Sequence, residues 1–121
     1  MYHGILIDQE FKDPSFPKTY PIFANKQIGS WHIYGIKIEN SEIEKEIQKI
    51  QSQMKPNGNW YAHFYNNEKL IIVFKNKTFN IKPDSSTWKP AIEYGRKLGI
   101  SEKQLDFHPS KFQSEREYFN E

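Results

Sequence analysis

The segment Leu70-Ile71-Ile72-Val73-Phe74 decides the fold, because it is the longest uninterrupted apolar run in the chain. Successive side chains of a strand point to opposite faces of the sheet, so this run gives a strand with two apolar faces. The pattern predicts a central strand covered on both sides, or one whose outer face meets another chain. The run is far shorter than the roughly 20 residues that cross a bilayer, so we expect no membrane partner.

Five further strands are predicted on either side of this segment. Each is a run of β-branched and aromatic residues, and turn residues lie between the runs. The region before Trp31 contains Pro14, Pro17 and Pro21. Because proline cannot donate to a neighbouring strand, the strand predicted in this region is an edge strand. The predicted strands span residues 2–8, 20–25, 31–39, 60–65 and 78–82.

Two amphipathic helices follow from apolar residues spaced three and four apart. The first helix has its stripe at Ile43, Ile47, Ile50 and Met54, and residues 55–58, Lys-Pro-Asn-Gly, end it. The second begins near Thr87, has Pro90 in its first turn and ends at Gly99. Its stripe consists of Trp88, Ala91, Ile92, Gly95 and Leu98.

The resulting order is β-β-β-α-β-β-β-α, followed by a short C-terminal helical turn in residues 110–121 that docks Phe112 and Phe119. This order predicts an α+β fold of two layers, in which a largely antiparallel sheet is covered on one face by both helices. The length of 121 residues fits one domain, residues 1–121. The similar order of the two halves also suggests a pseudo-repeat over residues 1–55 and 56–121.

Composition and missing motifs exclude several classes of protein. The chain has no cysteine, which excludes disulfides, thiolate metal sites and a cysteine nucleophile. Neither the Gly-x-Ser-x-Gly turn of serine hydrolases nor a glycine-rich phosphate-binding loop occurs. We therefore expect a cytoplasmic protein without a cofactor or a metal site, and the sequence leans away from an enzyme.

Positive charge concentrates in residues 69–103, which contain eight basic and three acidic side chains, a local sum of +5. On the preceding strand, Tyr61, His63 and Tyr65 share one face because they alternate along it. Aromatic rings beside lysines can stack on nucleobases or line a small-molecule pocket. The candidate binding residues are therefore Tyr61, His63, Tyr65, Lys75, Lys77, Lys82, Lys89, Arg96 and Lys97.

Three histidines, His3, His32 and His63, fall on predicted strands. If those strands were neighbours in matching register, the imidazoles could meet a carboxylate from Asp8 or Glu10 and form an acid–base site. The spacing contains none of the helical histidine pairs that bind metals. Ordinary packing on a half-exposed face is the alternative interpretation.

The order α-β-β-β-α in residues 41–98 is similar to that of the double-stranded-RNA-binding domain, over about half of the chain. That family has a lysine-rich start to its last helix, which grips phosphates. Here the corresponding segment, residues 85–90, reads Ser-Ser-Thr-Trp-Lys-Pro and contains the single lysine Lys89. The resemblance is one of element order, and the sequence is not assigned to that family.

Three functional hypotheses follow. The first is a small, non-catalytic binding module, with self-association as a homodimer through residues 70–75 or an uncovered edge beside them. The second is an RNA or single-stranded nucleic-acid binder, or a binder of another anionic ligand, that uses the basic and aromatic residues. The third is a small enzyme with His63, His32 or His3 as general base and Asp8 as the carboxylate that orients it.

Overall fold

The computed structural model describes residues 1–56 and 59–120, and its centre is a six-stranded antiparallel sheet in the order β2-β3-β1-β4-β5-β6. The α+β class, the element order and the antiparallel sheet confirm the predictions from the sequence. Asn57 and Gly58, which are part of the predicted helix stop, lie outside the described residues. The strands are β1 (Tyr2–Ile7), β2 (Ile22–Ile28), β3 (Trp31–Ile38), β4 (Tyr61–Tyr65), β5 (Leu70–Phe74) and β6 (Lys77–Ile81).

Strand β5 is buried at every position, as its sequence predicts. Ile71 and Val73 face one side of the sheet, whereas Leu70, Ile72 and Phe74 face the other. The chain's own elements cover both sides, so the two apolar faces need no second chain to account for them. Self-association stays a prediction.

One side of the sheet, the α1 face, is covered by α1 (Ile43–Gln53) and by the chain between β1 and β2. Ile43, Ile47, Ile50 and Met54 are buried there, which confirms the predicted stripe. The proline-containing segment adds Phe11 and Phe16, whose rings lie 5.0 Å apart. The edge strand of this region runs later in the chain than predicted, because residues 16–19 form a 3-10 turn.

The opposite side, the α2 face, is covered by α2 (Lys89–Lys97) and by the chain that follows it, including α3 (Glu115–Phe119). The expectation that both helices lie on one face is therefore wrong, and the fold has three layers instead of two. The α2 face carries Ile5, Ile33, Ile72 and Phe74, so it needs an apolar cover as much as the α1 face does. Phe112 and Phe119 pack against this face, as predicted.

The end of α2 positions the chain that crosses the α2 face. Gly99 adopts a φ of +88°, a conformation that glycine takes without steric cost, and Ile100 N donates to the Gly95 carbonyl. A β-carbon on Gly95 would lie 2.6 Å from Cδ2 of Leu105, so this glycine permits close contact with the returning chain rather than with the sheet. The helix end thereby directs residues 100–109 back over β4.

The two halves of the chain differ in strand pairing. The first half places its third strand, β3, between β1 and β2, whereas the second half places its second strand, β5, between β4 and β6. The shared β-β-β-α order is thus not accompanied by shared pairing, and the duplication stays a prediction. Within the described residues, no helix combines the length and apolar character needed to cross a membrane.

We expect Gly4→Ala to destabilise the protein by about 2 kcal/mol, because a β-carbon at Gly4 would lie 2.2 Å from Cε1 of the fully buried Phe64. Urea unfolding of Gly4→Ala, of Phe64→Leu and of the double variant measures the coupling between the two positions. Gly4→Ala should lower the free energy of unfolding by clearly less in the Phe64→Leu background, because leucine lacks the ring edge that the β-carbon would meet. An equal cost in both backgrounds would contradict the clash.

Candidate functional site

A pocket of about 550 Å³ opens on the α2 face where β1 ends and where β3 and β4 begin. Its volume lies within the range of small-molecule binding sites. Apolar and aromatic side chains from this end of the sheet form one wall: Ile5, Ile7, Ile28, Trp31, Ile33 and Trp60. The chain between α2 and the C-terminus forms the other wall, with Ile100, Gln104 and Tyr118.

Trp31 and Trp60 form an aromatic pair in this pocket. Their ring centroids lie 5.4 Å apart at an interplanar angle of 62°, an edge-to-face arrangement. Both residues are half-buried, because each indole packs against the protein on one side and borders the pocket on the other. The pair therefore offers large, rigid aromatic surface to a bound molecule.

Glu10 is the buried acid of the pocket. It lies in the 3-10 turn that follows β1, its side chain is fully buried, and its Oε1 accepts a hydrogen bond of 2.9 Å from Ile7 N. Its other oxygen, Oε2, has no hydrogen-bond partner among the described residues. A buried polar atom without a partner is costly, so its retention beside a pocket points to a bound group.

Burial raises the pKa of the Glu10 carboxyl well above its ordinary value of 4.5. The hydrogen bond from Ile7 N opposes this shift, and the negative charge of Asp8 adds to it. A carboxyl in this environment holds its proton at a pH at which a solvated glutamate has lost it. Glu10 can then donate a hydrogen bond as well as accept one.

His63 lies on β4 and lines the same pocket. Its Nε2 lies 2.7 Å from the carbonyl oxygen of Pro109, and because a carbonyl only accepts, Nε2 carries the proton. Burial lowers the pKa of this imidazole to about 4. The hydrogen bond to Pro109 opposes this shift, whereas the charge of His108 adds to it. His63 is therefore a neutral imidazole at physiological pH, with Nδ1 as its acceptor.

Tyr61 joins the two walls of the pocket, because its hydroxyl donates to the Gln104 carbonyl. Burial raises the pKa of this phenol, and the Asp106 and Glu10 carboxylates add to the shift. The neighbouring Phe107 has a φ of +47°, which is rare for a residue other than glycine, and packs on Tyr61 and Trp88. This unusual backbone places Asp106 and His108 along the pocket.

The predicted aromatic residues lie side by side on β4, with ring centroids 6.1 Å apart for Tyr61 and His63 and 5.9 Å apart for His63 and Tyr65. Tyr61 and His63 line the pocket, but Tyr65 is fully buried and its hydroxyl donates to Glu115. The three side chains share one sheet face, as their alternation predicts, but residues 99–119 cover that face, so it does not present His63 and Tyr65 to solvent. Nδ1 of His3 also lies 2.6 Å from Glu115 Oε2, so Glu115 holds α3 against the sheet.

The basic residues are also distributed, instead of surrounding the aromatic ones. Lys75 donates to the Gln51 carbonyl at the end of α1, where a positive charge is favourable. Lys77 lies 5.6 Å from the Phe79 ring centroid, and Lys89 lies 4.0 Å from Glu93. The other three, Lys82, Arg96 and Lys97, are exposed after β6 and in the last turn of α2.

The histidines do not converge on one carboxylate. His3 and His63 face the α2 side, whereas His32 stacks on Tyr34 of the α1 face. Asp8 accepts from the backbone N–H of His32, not from an imidazole. In the part of the chain that the structure describes, no three His, Asp or Glu side chains form a metal-binding group.

Sequence reasoning named Glu10 only as a carboxylate for a histidine cluster, and it did not assign Trp31 and Trp60 to a common site. Tryptophans at strand ends are a weak signal for a pocket, since they also serve ordinary packing. The burial of Glu10 leaves no trace in the sequence. Another groove, of about 710 Å³, runs beside α1 and β6, but it is bordered mostly by exposed polar side chains such as Glu44, Gln48 and Asn80.

No family model matches the sequence, and comparisons with curated proteins and with solved structures find no match either.

Glu10 should make stability fall as pH rises, because folding raises its pKa and protonated Glu10 is favoured in the native state. Its contribution is fully present below pH 4.5 and is lost as pH increases toward the raised pKa, by at most about 1.4 kcal/mol per pH unit. Glu10→Gln should therefore gain stability relative to the wild type across this window. Urea unfolding at several pH values measures the difference, with Glu44→Gln as the same change at an exposed position. A constant difference would contradict a raised pKa.

His63 should have the opposite effect, because folding lowers its pKa from 6.5 to about 4. Its contribution is fully present above pH 6.5 and is lost as pH falls toward 4, by up to about 3 kcal/mol in total. His63→Gln cannot titrate, so the stability difference between the wild type and this variant should shrink over this range. The same unfolding series measures it, and a difference that does not change with pH would contradict the burial of a neutral imidazole.

Proposed function

We propose that the protein is a non-catalytic binding module for a small organic molecule, and that the pocket between Trp31, Trp60 and Tyr61 is its binding site. One observation carries the proposal: a pocket of about 550 Å³ combines an aromatic pair with a fully buried carboxyl whose Oε2 has no partner. Small-molecule sites have this composition, mostly apolar walls with a few polar groups that orient the ligand.

The framework around the pocket supports binding more directly than it supports a reaction. Trp31, Tyr61 and His63 lie on strands of the central sheet, and rigid elements hold binding groups in fixed positions. The cross-links Tyr61 to Gln104 and His63 to Pro109 hold the second wall against the first. This fixed framework lowers the entropic cost of binding a ligand.

The alternative of nucleic-acid binding depends on rings that are open to solvent beside a continuous basic surface. Tyr65 has no exposed surface, and Lys75 contacts the end of α1. The alternative of a histidine general base depends on a carboxylate that orients the imidazole, whereas His63 contacts the Pro109 carbonyl. Both remain alternatives, and the pocket supports the small-molecule proposal better.

Binding of neutral aromatic probes, indole and benzyl alcohol, tests this function. Each probe should raise the melting temperature, and the stabilisation should grow with the logarithm of one plus the probe concentration over Kd. Trp31→Leu or Trp60→Leu should weaken binding at least tenfold, because each removes ring surface from the pocket. Trp88→Leu is the matched control, since Trp88 does not line the pocket and its indole N–H donates to the Lys82 carbonyl.

Calorimetric titration of the folded variants at one temperature measures these affinities, which separates loss of binding from loss of stability. Equal affinities in the Trp31, Trp60 and Trp88 variants would contradict the assigned site. A wild-type protein that binds neither probe at millimolar concentration would contradict the proposed function.

A further inference from the structure

The chemistry of the pocket also restricts the kind of molecule that it takes, an inference that rests on the proposed binding function. Three ligand classes could meet the unpartnered Oε2 of Glu10: an anion, a neutral molecule, or a cation with an N–H group. The charges and rings that surround Glu10 distinguish between them.

The acidic groups around the pocket disfavour an anion. Asp8 precedes Glu10 on the same turn, and its negative charge already acts on the Glu10 carboxyl. Lys103 is exposed, and Asp106 is exposed on the same wall. The titratable side chains that line the pocket with Glu10 are Tyr61, His63, Lys103, Asp106, His108 and Tyr118. An anion would therefore approach the Glu10 carboxyl, and its counter-charge would be the solvated ammonium group of Lys103.

The aromatic rings favour a cation over a neutral molecule. Faces of tryptophan and tyrosine attract a positive charge within about 6 Å of the ring centroid, most strongly where water is excluded. Trp31, Trp60 and Tyr61 all border the pocket that Glu10 lines. The ring of Tyr118 already has a cation beside it, because Lys26 Nζ lies 3.6 Å from its ring centroid.

We propose that the pocket binds a small organic cation, an arylalkyl amine, whose ammonium N–H donates to Oε2 of Glu10 while its apolar part contacts Trp31 and Trp60. A charge-assisted hydrogen bond of this kind is about twice as strong as a neutral one, and it gives the buried oxygen its missing partner. The cation also compensates the negative charge that burial disfavours on Glu10.

Binding of such a cation is coupled to release of one proton. At a pH below the raised pKa of Glu10, the free protein holds a proton on this carboxyl, and the amine is already protonated in solution. In the complex the Glu10 O–H bond has broken, its electron pair stays on the carboxylate, and the proton has passed to the buffer. Affinity should therefore increase with pH, by up to about tenfold per pH unit, until Glu10 is ionised in the free protein.

Three isosteric probes test the inference: benzylamine as the cation, benzyl alcohol as the neutral form and benzoate as the anion. Calorimetric titration of the wild type should give the highest affinity for benzylamine, increasing as pH rises from 5 toward the raised Glu10 pKa, with that of benzyl alcohol changing far less. Titration in two buffers of different ionisation enthalpy should show release of close to one proton for benzylamine below the Glu10 pKa. Glu10→Gln should lose both the preference for benzylamine over benzyl alcohol and the proton release.

The outcomes separate this inference from the proposed function. If benzyl alcohol binds and loses affinity in Trp31→Leu, the pocket is a binding site. Benzylamine that then binds no better than benzyl alcohol, or binds without proton release at low pH, overturns the cation inference alone. If none of the probes binds, the proposed function itself is overturned. The wild-type pH series decides the question even if Glu10→Gln does not fold.

Discussion

Burial of both faces of the central strands is the constraint on which the rest of this structure depends. β5 is apolar at every position, and its neighbour β4 is buried at four of its five positions, so water must be excluded from both sides of the sheet. A single helical layer cannot do this. α1 covers one face, and α2 with the C-terminal third of the chain covers the other.

The pocket is a consequence of how the second face is covered. α2 packs over β5 through Ala91 and Tyr94, but the end of the sheet near Trp31 and Trp60 is closed by irregular chain instead of a helix. Irregular chain is joined to the sheet at separate points, such as the hydrogen bonds of Tyr61 and His63. Between these points it leaves a space that the indole rings and Glu10 line.

Glu10 and His63 show how burial tunes the two ionisable groups of this pocket in opposite senses. Desolvation favours the neutral form of each group, so it raises the pKa of the acid and lowers that of the base. Among the described residues, Oε2 of Glu10 is a buried oxygen without a hydrogen-bond partner. Packing alone does not explain why the fold buries this oxygen without a hydrogen-bond partner.

The sequence by itself determined the number and order of the strands, the stripe of α1, the two apolar faces of β5 and the docking of Phe112 and Phe119. These features follow from periodicity within one element, because the spacing of residues shows which of them lie on the same side of that element. Tertiary structure alone decided that α2 covers the face opposite α1, that Tyr65 is buried, and that Trp31, Trp60 and Glu10 share a pocket. These features depend on contacts between residues far apart in the chain, such as Tyr61 with Gln104. Local spacing carries no information on which distant segment covers a face.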